Sequence, residues 1–426
     1  MKKICIFLFC LFSINNYSQS IDPEIEKEAN KLEQQVIEWR RDFHEHPELS
    51  NREFKTAEKI AKHLRSLGLE VQTGVAKTGV VGILKGNNSG KVVALRADID
   101  ALPVTERNEL PFKSEVTTDF LGTNTGVMHA CGHDTHTAIL MGVAEILSKN
   151  KDKINGTVKF IFQPAEEGPP PGEKGGASLM IEEGVLKNPD VDAIFGLHIN
   201  SGTPVGTVRY KPEGTMAAVE RFVINVKGKQ THGSAPWSGT DPILISAKII
   251  DGLQTIISRD SKLVDGAAVI TVGKITSGVR FNIIPETAEM IGTIRTLDAD
   301  MKATILRRMN EMVPAIAKAY GGTATVEIQN NTAITYNDPE LTNKMLPTLQ
   351  NIAGKDKVEL VKATTGGEDF SFFQEVVPGF YFFLGGQALG TTEAAPHHTP
   401  DFYIDESGML LGVKVMSQLA LDYLNN

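Results

Sequence analysis

Apolar side chains recur every three to four positions from 25 to 43, where Ile25, Ala29, Leu32, Val36 and Phe43 fall on one face and predict an amphipathic helix. A second helical pattern covers 52–67 and stops at Gly68, a residue suited to the left-handed turn that ends a helix. Short β-type runs follow at 79–84, 92–95, 157–162 and 193–197, with a helical pattern at 135–147 between the second and third. Strands alternating with helices predict an α/β fold with a mainly parallel central sheet. The order then changes: strand 217–226, helix 242–259, strands 267–275 and 287–296, helix 301–320 and strand 323–329. That succession, β-α-β-β-α-β, is the split unit that closes into a small sheet covered by two helices. Helices and strands resume afterwards, ending in a helix at 406–424. The economical architecture is an α/β domain in two pieces, 21–212 and 331–426, interrupted by a smaller α+β domain at 213–330. Three serial domains would leave the last hundred residues with few strands of their own.

The chain of 426 residues is long enough for two domains with proper cores. Hydrophobic residues at 41% and charged residues at 22% exclude wholesale disorder. A net charge of −9 with no long basic run argues against nucleic acid as a partner. Residues 168–176 (GPPPGEKGG) read as a turn-rich surface loop.

The first twenty residues differ in kind. Lys2 and Lys3 precede an apolar run over 4–12, and polar Asn15 and Asn16 lead to small Ser18 and Ser20. This is the pattern of a cleaved export signal, too short for a stable membrane anchor, and it predicts a periplasmic or secreted protein. A lipoprotein reading through Cys10 is weaker, because Phe9 stands where a small residue is wanted. Cys5 and Cys10 would leave with the signal. Cys131 then has no partner for an internal disulfide, so it is either deeply buried or held by a metal.

Phosphate-loop, nucleophile-elbow and HExxH signatures are absent, and His44-Glu45-His46 has the wrong spacing for the last. Metal-type side chains stand instead at the predicted ends of strands, where open α/β sheets carry their sites. Run 92–95 leads into Asp98 and Asp100, run 157–162 into Glu166 and Glu167, and run 193–197 into His198. His129 to His136 (HACGHDTH) precede the helix near 135. Cys131 and His133 can turn toward one ion across Gly132, and thiolate with imidazole suits zinc or a neighbouring transition metal. His136, on the first helical turn, reads as support and not as a ligand. Glu166 and Glu167 point opposite ways if extended, so one can bind metal while the other acts as a base. His398, in a stiff turn flanked by Pro396 and Pro400, can return to the site, and 366–370 (GGEDF) reads as a tight turn and helix start.

RADIDALP (96–103), HACGHDTH (129–136), QPAEEG (163–168), GLH (196–198), KGKQTHGSAPW (227–237), FNIIPETAEMIGTIRT (281–296) and HHTPDF (397–402) together resemble the metal-dependent N-acyl-amino-acid amidohydrolases. This group, with its hippurate and auxin-conjugate hydrolases, lies within the aminoacylase–carboxypeptidase metallopeptidase superfamily. The resemblance spans nearly all of the mature chain. It implies that the smaller domain is a lid or dimerisation domain, and that Cys131, His133, Glu167, His198 and His398 ligate two divalent ions. Zinc or manganese leads among the metals, with cobalt and nickel open. It further implies Glu166 as general base, Asp100 as support for a ligand, and His232 polarising the scissile carbonyl from its own or a neighbouring subunit. Asn282 and Arg295 are its substrate-carboxylate contacts. Much of the wider superfamily has a histidine ligand where Asp98 stands here, which leaves metal identity open. The expected substrate is a small N-acyl amino acid or short peptide, and the expected assembly is a homodimer or higher homo-oligomer. The alternatives are a dipeptidase or carboxypeptidase, and a non-catalytic periplasmic binding protein.

Overall fold

A computed structural model describes residues 21–425; the expected export signal at 1–20 lies outside the described residues. Eight strands form the large sheet, in the order Glu70–Val75, Gly79–Lys85, Gly156–Gln163, Lys91–Asp98, Ala193–Pro204, Gly379–Gln387, Val208–Tyr210, Val358–Leu360. The central four run parallel, and antiparallel strands flank them. Helices Pro23–Glu45, His133–Lys149 and Met409–Asn425 cover one face, sealing a core that includes Val36, Leu95, Val143, Phe160, Phe195 and Leu419. The opposite face packs Ile161, Ile194, Phe370, Phe373 and Tyr381. Among the described residues, no helix is long and apolar enough to cross a membrane.

A second sheet, ordered Ala268–Ser277, Thr287–Thr296, Ala218–Lys227, Thr323–Thr332, is antiparallel throughout. Strand Ala218–Lys227 alternates buried and accessible positions, so only one of its faces is apolar. Helices Pro242–Thr255 and Ala299–Ala319 pack on that face, around Phe222, Ile224, Ile249, Met290, Ile305 and Met309. The chain then returns, and strand Gly379–Gln387 takes a central place in the large sheet.

Three boundaries differ from the sequence expectation in ways that matter for the site. The strand expected at 92–95 runs to Asp98, because Arg96, Ala97 and Asp98 stay paired with Ile161, Phe162 and Gln163. The strand expected at 193–197 runs to Pro204, so His198 lies inside a strand and not beyond it. Pairing with Phe383, Leu384 and Gly385 sustains the extension. The helix expected from 135 starts at His133. Elsewhere, the helix expected to 259 closes at Thr255 into a π turn, and the last helix begins at Met409 after a 3-10 turn.

Gly132 makes the early start of helix His133–Lys149 possible. It sits at the N-cap with φ of 93°, in the left-handed region, and a Cβ there would run into Ile199 Cγ2. Gly132→Ala is therefore expected to cost on the order of 2–3 kcal/mol, from left-handed backbone strain plus overpacking. Urea unfolding measures this, and a variant as stable as the parent would show that the turn tolerates a side chain.

Candidate metal centre and active site

One carboxylate organises the site. Asp100 Oδ1 accepts the Glu166 backbone N–H (3.1 Å) and lies 3.3 Å from His133 Nδ1, while Oδ2 accepts the Glu167 N–H (3.1 Å) and the Ser50 hydroxyl (2.7 Å). His133 Nδ1 also donates to the Asp100 carbonyl at 2.9 Å. That bond fixes the tautomer and leaves Nε2 as a lone pair. The Nε2 atom is buried without a hydrogen-bond partner, 3.9 Å from both Glu166 Oε2 and Glu167 Oε1.

The second half of the site gathers around sulfur. Cys131 Sγ lies 3.2 Å from His398 Nε2, 3.4 Å from His198 Nε2 and 3.6 Å from His397 Nδ1. His198 Nδ1 donates to the Ile199 carbonyl at 2.6 Å, so its Nε2 is again the free lone pair. His398 Nε2 is also 3.1 Å from Glu167 Oε1. Cys131, His133 and Glu167 thus form one potential donor set, and Cys131 with His198 and His397 forms another; the expected ligand His398 lies beside both, against the sulfur and Glu167. The sulfur belongs to both.

Electrostatics test whether cations fit. Burial, then Glu167 and Glu166, pushes the Cys131 thiol well above its ordinary value. Burial, then Glu368, Glu167 and Asp369, does the same to the Glu166 carboxyl. Burial opposes a charge on His133, but Asp98, Asp100 and Glu167 outweigh it and hold the imidazole up to about 10. Each shift marks excess negative charge in a confined space, and positive ions held by these donors would relieve all of them. Sulfur, imidazole nitrogens and carboxylates converging on one space are the ligand types that divalent transition cations take.

Two other acidic or histidine clusters are already satisfied. His136 Nδ1 donates to Asp98 Oδ1 (2.6 Å), and its Nε2 accepts the Ile199 N–H (2.8 Å), so no nitrogen remains for a metal. Glu368 and Asp369 are engaged by Arg96. That guanidinium, 1% exposed, donates to Glu368 Oε1 (2.9 Å), Asp369 Oδ1 (3.0 Å), Asp98 Oδ2 (2.6 Å) and Gln163 Oε1 (2.8 Å). It fixes the 366–370 turn, and the Asp369 N–H reaches Glu166 Oε1 at 3.4 Å. Sequence reasoning missed this arginine hub, since nothing in RADIDALP distinguishes a buried Arg from a surface one. It also passed over His397, whose Nε2 accepts the Ser201 N–H at 3.2 Å, leaving an Nδ1–H aimed at the sulfur.

Cys131, Glu166, Glu167, His198 and His398 open onto a cavity of about 1290 Å³. The loop 168–176, expected on the surface, forms part of its wall, and Glu173 pins that loop through Asn51, Arg52 and Lys77. Arg295 also lines the cavity, near the turn at Gly367. His232 and Asn282 do not line the cavity. They sit together on the smaller sheet's domain, where the Gly233 N–H meets the Asn282 carbonyl at 2.9 Å and His232 is exposed. Within one chain, then, the structure brings together Asp100, Glu166 and the five expected donors. Arg295 lines the same cavity, while His232 and Asn282 stand apart.

Comparison with known proteins gives a consistent picture. The profile described as Peptidase family M20/M25/M40 matches residues 94–422. Thermostable carboxypeptidase 2 of Saccharolobus solfataricus is 42% identical over 94% of this chain and 98% of the relative. An N-acetylcysteine deacetylase of Bacillus subtilis is 38% identical over 91% of this chain and 96% of its own. A solved Bacillus subtilis structure described as a dinuclear metal binding peptidase from M20 family superposes with a TM-score of 0.77 at 36% identity, covering 93% of this chain and 99% of that one.

Because Asp100 orients His133 and the 166–167 backbone at once, Asp100→Asn is expected to weaken metal affinity by about 10–100-fold while the protein stays folded. Competition with a chelator measures this. Affinity within about twofold of the parent would show that Asp100 does not support the donors.

Proposed function

The chain belongs to peptidase family M20/M25/M40, and from that premise we propose that it hydrolyses the amide bond of N-acyl amino acids. That it is a hydrolytic enzyme acting on linear amides follows from the family and its named relatives. The observation that carries the finer reading is that one cavity is lined both by a carboxylate, Glu166, beside the candidate donors and by a guanidinium, Arg295. An N-acyl amino acid presents an amide to the first and keeps a free α-carboxylate for the second.

In this reading Cys131, His133, Glu167, His198 and His398 hold two divalent ions, which would supply Lewis-acid charge to the scissile carbonyl and the attacking water. Glu166 removes a proton from that water and returns it to the departing amine nitrogen, yielding a carboxylic acid and a free amino acid. Its Oε1 is steadied by the Asp369 N–H, and its neighbour Glu167 turns instead toward His398. The two acids do not point opposite ways as an extended chain would make them: residues 166–167 form a turn after Ala165 (φ 53°), and both carboxylates come within 3.9 Å of His133 Nε2, so their division of labour rests on their different second contacts.

The reading includes an exported homodimer. His232 Nδ1 accepts from the Ser234 N–H (3.0 Å) and lies 2.7 Å from the Ser234 hydroxyl oxygen, and the exposed residue does not line the chain's own cavity. Trp237 (82% exposed) follows that stretch in sequence, and Val279 (98%) and Phe281 (94%) precede Ile283, which pairs with His232; we take these exposed apolar side chains as suited to a second copy. His232 of the partner subunit would then polarise the carbonyl. A second reading, a metallo-exopeptidase, is favoured by the 42% identity to a carboxypeptidase.

Hippurate and acetyl-amino acids assayed beside matched dipeptides, with apoprotein reloaded separately with zinc, manganese, cobalt or nickel, separate the two. Faster turnover of the acyl compounds supports the proposal, and faster cleavage of dipeptides favours the second reading. Glu166→Ala is expected to keep its bound metal and lose about 10²–10⁴-fold in kcat; parental turnover by the purified variant would refute its role. His232→Ala with unchanged turnover would remove the partner histidine from the account.

A further inference from the structure

The cavity has more cations than a single α-carboxylate requires: Arg221 and Lys362 line it besides Arg295. In the smaller sheet Val219 pairs with Arg295 and Arg221 with Thr293, so these four side chains share the face that has no helices. Arg221 and Arg295 are diagonal neighbours on adjacent strands, about 7 Å apart at their Cβ atoms. Both line the cavity that holds Glu166 and the metal donors. Arg295 Nη1 lies 3.5 Å from where a Cβ on Gly367 would stand, beside the turn that Arg96 fixes.

Counter-charges are distributed unevenly among the cations of this wall. Arg209 is paired with Glu359 (2.8 Å) and Lys174 with Glu182 (2.8 Å). Arg221 meets only the neutral Gln329, whose Oε1 is 3.3 Å from Nη1. Arg295 senses the charge of Glu220, but that buried carboxylate is held by Lys302 at 2.5 Å. Among the described residues, then, two forked guanidinium groups line one cavity with no carboxylate bound to either; Lys362 lines it too, but as an ammonium it lacks the fork. Such groups match carboxylates in a planar, two-pronged fashion, and a ligand bearing one carboxylate satisfies only one of them.

We propose that the site prefers N-acyl derivatives of acidic amino acids, with Arg221 receiving the side-chain carboxylate. The proposal rests on the reading that Arg295 receives the α-carboxylate of an N-acyl amino acid. Arg221 stands next to Arg295 on the same wall, so it serves the amino-acid half of the substrate and not the acyl half.

The test compares kcat/KM for N-acetyl-glutamate, N-acetyl-glutamine, N-acetyl-leucine and N-succinyl-leucine, with Gly-Glu and Gly-Gln alongside, in the parent, Arg221→Gln and Arg221→Lys proteins. The parent should favour N-acetyl-glutamate over its neutral isostere by at least about tenfold. Arg221→Gln should bring that ratio near one by raising KM for the glutamate compound, with kcat held within about twofold and N-acetyl-leucine unaffected. Arg221→Lys should recover part of the preference. Equal cleavage of the glutamate and glutamine compounds, a preference that survives Arg221→Gln, or a preference for N-succinyl-leucine overturns the proposal while leaving N-acyl hydrolysis intact. If the acyl compounds are inert but Gly-Glu is cleaved in preference to Gly-Gln, the acyl reading fails and the acidic preference stands. No turnover of any compound overturns both.

Discussion

Everything at the site turns on a buried carboxylate, Asp100, that binds together three stretches remote in sequence. It receives the imidazole from the start of helix His133–Lys149, two consecutive backbone N–H groups from the loop after strand Gly156–Gln163, and a hydroxyl from residue 50. A charged acceptor in a low-dielectric setting makes stronger hydrogen bonds than one in water, and leaving its donors unmet would be costly. Its backbone carbonyl settles which nitrogen of His133 carries the proton. The candidate donors are thus oriented by a carboxylate and a carbonyl of a neighbouring strand end.

Arg96 performs the complementary task for the acid–base machinery. A lone guanidinium buried to this degree would be destabilising, but two carboxylates of the 368–369 turn, Asp98 and Gln163 satisfy it. The hub fixes the turn that steadies Glu166 and flanks Arg295, linking the strand floor of the site to its ceiling on the smaller sheet. The candidate donors and Glu166 are held by a polar network on the large sheet, and Arg295 approaches its 366–370 turn from a second sheet with its own apolar core.

Periodicity made the smaller unit legible almost strand for strand, because a sheet packed on one side advertises itself by alternation, as along Ala218–Lys227. The large sheet was read less completely. Its strand Glu70–Val75 is mostly accessible and lacks an apolar repeat, and the extension of Ala193–Pro204 depends on a partner strand nearly two hundred residues away. No local pattern reports such pairing. The donors were legible as residue types at strand ends, but His198 sits within its strand. Arg96 and His397 were invisible because their importance lies in what surrounds them. The position of His232 was out of reach for a related reason: its exposure, and its absence from the cavity lining, depend on how the smaller sheet's domain packs and not on any local pattern.

The central claim is that Cys131 is a sulfur shared between two cation sites and not a thiol sealed in the core. Anaerobic titration of metal-free protein with cobalt(II) addresses it directly, because a thiolate ligand gives intense sulfur-to-cobalt absorption in the near ultraviolet. Two equivalents bound per chain, with that absorption developing on binding and abolished in Cys131→Ser, is the predicted result. Binding of a single ion, or of two with no sulfur band, would contradict the account.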